Sequence, residues 1–265
     1  MKQFTKRTVQ FALLCLTAVL ISFNKVKETK VDADKIMEKV QNTILGHSDY
    51  KTDVEMILTR GNGKSYTRQM VSFNKEVNRE KEYSLMKFNT PKDVKGMKSL
   101  IHSFMSKSDD QWIYIPGINA TKRIANENKS GAFMGSEFAN EDLGIMNLFK
   151  YKFEYLESKS FNGKECHVIR SYPINKYSGY KYVDIHVTKD GFLPAFLKYY
   201  NRKGQYFKNQ EIVWEQFKGG SWLLTTAKVI NVKNKRTTTL KRSNFQFDVA
   251  FEASFFDSEN IANVE

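Results

Sequence analysis

From Tyr50 onward, apolar side chains recur at every second residue. Val54, Met56 and Leu58 alternate with Asp53 and Glu55, the pattern of a strand with one dry and one wet face. Gly61-Asn62-Gly63 supplies a turn, and Ser65 to Phe73 reads as the returning strand. Lys81 to Phe88 and Lys98 to Met105 extend the series, although the alternation weakens after Ser99. Trp112 to Ile115 and Thr121 to Ala125 bracket a Pro116-Gly117 turn. Tyr151 to Ser158 and Glu165 to Tyr172 then flank Asn162-Gly163, and Tyr180 to Thr188 runs into Asp190-Gly191. Phe196 to Tyr200, Tyr206 to Trp214, Trp222 to Ile230 and Thr237 to Val249 complete the set. Strands this regularly spaced predict a meander and not β-α-β units.

Two stretches carry helical period instead. In Asp32 to Leu45, Ile36, Val40 and Ile44 fall on one stripe beside Met37, and Gly46 supplies a stop. In Asn140 to Phe149, Asn140 is placed to cap, Glu141 and Asp142 suit the positive end of a helix dipole, and Leu143, Met146 and Phe149 share a face. Asp257 to Ala262 has room for one last helical turn.

The N-terminus is patterned for export. Lys2, Lys6 and Arg7 precede an uncharged apolar run from Val9 to Phe23, shorter than the ~20 residues of a spanning helix. Residues 1–23 are therefore expected to be a signal peptide, cleaved or kept as an N-terminal anchor. Residues 24–31 form a linker rich in Lys and Glu, and residues 32–265 a single β domain. Cys15 lies behind Leu13-Leu14, where lipidation would need a small residue, so it reads as hydrophobic filler. Cys166 is then alone, which leaves no intramolecular disulfide and points to a small buried side chain.

Composition narrows the function. The formal charge is +13 and falls to +10 once Lys2, Lys6 and Arg7 are removed. An exported basic protein has few nucleic-acid clients; its charge faces anionic lipid or an acidic partner, or is simply a solvated surface of scattered lysines. Twenty Phe, 13 Tyr and only 4 Pro favour strands over a helical bundle. No Gly-x-Ser-x-Gly, His-Glu-x-x-His, P-loop or Rossmann glycine pattern occurs. His47, His102, His167 and His186 stand apart from one another, without metal-ligand spacing, so no metal or cofactor is expected.

The most unusual stretch runs from Trp112 to Leu143. It carries Lys122 and Arg123, then Phe133 and Met134 between Gly131 and Gly135, then Phe138. It is too apolar for an ordinary loop. Two readings stand: a mobile flap covering something greasy, or a loop tucking its side chains into its own core. The order Trp-x-Tyr-x-Pro, Lys-Arg-Ile and Phe-Met-Gly-Ser-x-Phe-x-x-Glu-Asp-Leu resembles the outer membrane lipoprotein-sorting protein family, relatives of the carrier LolA and the receptor LolB. The run Phe88-x-x-Pro91-x-x-Val94-x-Gly96 fits as well.

That resemblance implies a mainly β fold: a single incomplete, half-open antiparallel β-barrel wrapped around or capped by a few α-helices. It also implies an apolar cavity for the acyl chains of lipoproteins or related lipids. Such a carrier would be non-catalytic and would work in the periplasm or cell envelope, between an inner-membrane transporter and an outer-membrane acceptor. Trp112, Tyr114, Phe133, Met134, Phe138 and Leu143 are then the expected cavity or flap contacts. Lys122 and Arg123 are either head-group or partner contacts or exposed strand-end charges. A scaffold docking on an envelope transporter is the alternative, followed by an enzyme built on the same half-barrel.

Overall fold

The computed structural model describes residues 31–264 except 48, 145, 146 and 218. The expected signal segment and Cys15 lie outside the described residues. Among the described residues one α-helix, α1 (Ala33–Ile44), is followed by thirteen strands: β1 (Tyr50–Thr59), β2 (Ser65–Asn78), β3 (Lys81–Thr90), β4 (Lys98–Phe104), β5 (Asp110–Ile115), β6 (Ala120–Arg123), β7 (Tyr151–Phe161), β8 (Lys164–Pro173), β9 (Tyr180–Thr188), β10 (Pro194–Asn201), β11 (Tyr206–Gln216), β12 (Trp222–Asn231) and β13 (Thr237–Phe247). The remaining helical pieces are single 3-10 turns. Every strand foreseen from period two is present.

All thirteen strands join one antiparallel sheet in the order β6-β5-β4-β3-β2-β1-β13-β12-β11-β10-β9-β8-β7. The first and last strands meet in the middle, Met56 opposite Leu240, so two meanders are fused along one seam. The sheet does not close: β6 and β7 are its two edges. They are also consecutive in the chain, so the 124–150 connection has to travel from one edge to the other. It does so across the concave face. That route explains why a loop there carries apolar side chains.

The three covers of the sheet follow from which residues each strand turns inward. α1 buries Ile36, Met37 and Val40 against Ile169, Ile185 and Leu197 on the concave side of β8–β10. Asp32 caps the helix, accepting from the Asp34 and Lys35 amides at 3.1 and 3.2 Å. The connection lays Phe133 and Phe138 over Val54, Met56, Met70 and Phe88 from β1–β3. The C-terminal tail buries Phe256 and Ile261 against Phe73, Leu85 and Leu100 on the opposite, convex side. Strands β2–β4 are thus covered on both faces, which is why the alternation weakens after Ser99 in β4.

The described residues of Asn140 to Phe149 form no α-helix. Two 3-10 turns, Asn140–Asp142 and Leu148–Lys150, stand in its place. The acids expected to serve a helix dipole bind elsewhere: Asp142 Oδ2 accepts the Ala139 amide at 2.7 Å, and Glu141 Oε1 accepts the Gly179 amide at 2.8 Å.

Candidate functional site

The segment from Gly131 to Leu143 is a strap fixed at both ends. An antiparallel bridge pairs Ala132 with Ala139, and Phe133 N–H donates to the Phe138 carbonyl at 2.7 Å. Between them Met134 adopts the left-handed conformation (φ 49°, ψ 35°), uncommon outside glycine, and Gly135 follows at φ 71°. Arg68 Nη1 donates to the Met134 carbonyl at 2.5 Å and Arg236 Nη2 to that of Gly135 at 3.0 Å. Glu137 is held by Arg236 at 2.9 Å, by Asn231 Nδ2 at 2.9 Å and, through its amide, by Thr238 Oγ1 at 2.9 Å. Gln111 Nε2 reaches the Asn140 carbonyl at 3.0 Å from the other side. The strap is therefore bonded to β2, β5, β12, β13 and the turn between the last two, a fastening that the flap reading did not foresee.

Its deepest tie is ionic. Lys208 Nζ on β11 donates to Asp142 Oδ2 at 2.7 Å and to Tyr180 Oη at 2.6 Å. Tyr180 Oη donates in turn to Asp142 Oδ1 at 2.7 Å. Burial first, and the neighbouring Asp142 charge second, push the Tyr180 and Tyr199 hydroxyls well above their ordinary range. Both remain neutral hydrogen-bonding groups at any physiological pH.

Between α1, the strap and the inner sheet face lies a half-open cavity of about 260 Å³. Part of its lining is greasy, with Met86, Phe133, Phe138, Leu143 and Leu240. Another part is polar: Asn74, Ser84, Ser99, Ser103 and Glu82 come from inward positions of β2–β4. His47 Nε2 lies 3.6 Å from Glu82 Oε2 and 3.9 Å from Glu76 Oε2. Tyr50 and Arg242 also line the cavity, and burial lifts the Tyr50 hydroxyl to about 12.

The candidate residues divide accordingly. Phe133, Phe138 and Leu143 line the cavity, and Met134 packs behind them on the same cluster. Trp112 and Tyr114 are on the other face. Trp112 pairs with Leu100 and Tyr114 with Lys98, so both turn outward and pack beneath the C-terminal tail. Lys122 and Arg123 are exposed on β6, and Arg123 is ion-paired with Asp110. Sequence reasoning missed Arg242, Tyr50, Trp214 and Trp222, all of which line the cavity. Period two was a usable signal for Tyr50 and Arg242, since each falls in phase with the inward residues of its strand.

A family model described only as an uncharacterized protein matches residues 80–263. No curated protein matches the chain. Among solved structures, a domain from Vibrio parahaemolyticus described as an outer membrane lipoprotein-sorting protein is 32% identical. The similarity covers 87% of this chain and 98% of that one, with a TM-score of 0.83. A DUF1329 family protein from Desulfovibrio piger is 26% identical over 86% and 97% of the two chains, at a TM-score of 0.79. A LolA superfamily protein from Nitrosomonas europaea shares the fold at 17% identity and a TM-score of 0.67, over 86% and 98%. With its open thirteen-stranded sheet, strapped concave face and this degree of identity to the Vibrio domain, the chain belongs to the outer membrane lipoprotein-sorting protein family.

Proposed function

We propose that the protein is a non-catalytic carrier of the cell envelope that takes up acyl chains of lipoproteins or related lipids on its concave face. The observation that carries this reading is the cavity itself, lined by greasy side chains of the strap and by polar ones of β2–β4. Each methylene moved from water into such a lining gains ~0.8 kcal/mol. At about 260 Å³ the space is just below the ~300–1,000 Å³ of ordinary ligand pockets, so a whole chain needs the strap or α1 to shift outward. An inner-membrane transporter as donor and an outer-membrane acceptor belong to this reading, and the name of the Vibrio relative supports it.

A second reading, a scaffold docking on an envelope transporter, is favoured by one feature. Phe149 and Ile174 are 71% and 57% exposed, and the Ile174 amide is bonded to the Lys150 carbonyl beside Phe149. Mass spectrometry of lipid extracted from protein purified out of its native envelope separates the two. Co-purifying acyl lipid that is lost in Leu143→Asp supports the carrier; a lipid-free protein that still captures membrane proteins supports the scaffold.

A further inference from the structure

Two cations near the concave face are ion-paired within the fold. Lys208 has Asp142 at 2.7 Å and Arg236 has Glu137 at 2.9 Å. Arg68 spends Nη1 on the strap; its Nε is buried without a partner, but the residue is not part of the cavity lining. Arg242 differs. It faces inward from β13, opposite Val54 of β1, and lines the cavity. Its Nη1 donates to the Leu224 carbonyl at 3.3 Å, its Nε is buried without a partner, and among the described residues no carboxylate lies within 4.0 Å of it. A guanidinium presents five N–H donors in a planar fork, and most of these are unspent. The cavity's two acids are engaged elsewhere: Asp142 with Lys208, and Glu82 beside His47 at 3.6 Å. Tyr50, next to Arg242 in the lining, keeps its proton and adds no competing anion.

Resting on the carrier reading, we propose that the ligand is an acyl chain ending in an anionic group, a carboxylate or a phosphate ester, with its tail toward Phe133 and Leu143 and its acid on Arg242. The polar inner positions Asn74, Ser84 and Ser99 then solvate the head, and the strap covers the tail. A planar fork meets either acid through two parallel hydrogen bonds. A neutral alcohol of the same chain length forfeits them.

The purified chain is loaded with the neutral fluorophore N-phenyl-1-naphthylamine and titrated with palmitate, monopalmitoyl glycerol phosphate and hexadecanol. In the wild type at least one acid displaces the dye about tenfold more tightly than the alcohol, and which acid does so names the head group. Arg242→Met brings the acids down to the alcohol and leaves the alcohol where it was. Arg242→Lys, which keeps the charge without the fork, restores part of the preference and guards against a folding defect in the first variant. Equal displacement by all three ligands in the wild type overturns the inference and leaves the carrier reading standing. So does an Arg242→Met variant that loses all three alike. Failure of every ligand, the alcohol included, removes the carrier reading itself.

Discussion

Lys208 Nζ lies 2.7 Å from Asp142 Oδ2, with both side chains about 95% removed from solvent (4% and 5% exposed). One belongs to a strand in the C-terminal meander, the other to the connection between the sheet edges. Their meeting fixes the strap across the concave face, and the strap gives the cavity its greasy wall. The pair has no water to fall back on, so it holds the segment in one place more strictly than apolar packing alone.

Removing one partner of this pair leaves the other charge buried and uncompensated. Lys208→Met is expected to cost ~3–5 kcal/mol in urea unfolding at neutral pH. The double variant Lys208→Met/Asp142→Leu is expected to regain most of that, because no charge remains stranded. A loss below ~1 kcal/mol in the single variant would show that water reaches the site and that the strap is not held by charge.

Phe133 is 1% exposed and its ring centroid sits 6.2 Å from that of Phe88 on β3. Phe133→Ala removes a side chain that the strap cannot easily replace, and ~3–5 kcal/mol of stability should go with it. Phe149→Ala, at the exposed end of the same connection, should change stability by no more than ~0.5 kcal/mol. Equal effects at the two positions would mean that the strap is not seated on the sheet.

Strands, turns and α1 were legible because each obeys one period over many residues and is bounded by Gly or Asn. The strap was half legible. Its apolar content marked it as a cover, but its fastening depends on Arg68, Lys208 and Arg236, distant in sequence and brought close only by the sheet. Its failed helix has the same cause. A helix of ten residues is marginal alone, and here tertiary bonds claim its capping acids. Close packing adds to this, since a Cβ at Gly144 would lie 2.2 Å from Asp109 Oδ2. Trp112 and Tyr114 show another limit. Alternation separates two faces, but where both are covered it does not say which is concave. The polar floor was hidden too: Ser72, Asn74 and Ser99 look like water-facing positions, yet they are 0%, 2% and 6% exposed.

The C-terminal tail is the cover of the convex side, and it too should matter for stability. Ile261 is fully buried, and Lys98 Nζ donates to the carbonyls of Ile261 and Ala262 at 3.0 and 2.7 Å. Ile261→Ala is expected to cost ~2–5 kcal/mol. Limited proteolysis of the variant should cut after Phe251 before it cuts any strand. Cleavage within the sheet first would show that the tail is not an independent cover.

His102 gives the tail a dependence on pH. Its Nε2 lies 2.8 Å from the Phe256 carbonyl, so the proton of the neutral ring sits on Nε2. Its ring packs 4.1 Å from Tyr83 and 4.8 Å from Trp112, centroid to centroid. Burial lowers its pKa below the ordinary 6.5 and Lys81 adds to the effect, while the Phe256 carbonyl, Asp110 and Asp257 oppose it. The folded chain therefore binds a proton less readily than the unfolded one. The stabilisation is fully present above pH 6.5, the unfolded value, and is lost as pH falls from there through the lower folded value. Thermal unfolding midpoints between about pH 8 and about pH 5.5 should fall more steeply for the wild type than for His102→Gln, which keeps a side-chain donor for Phe256 but does not titrate. His167 and His186, whose pKa values burial also lowers, contribute alike to both proteins and cancel in the comparison. Parallel curves would exclude His102 as the titrating group and leave the acid response of the fold to its other titratable groups.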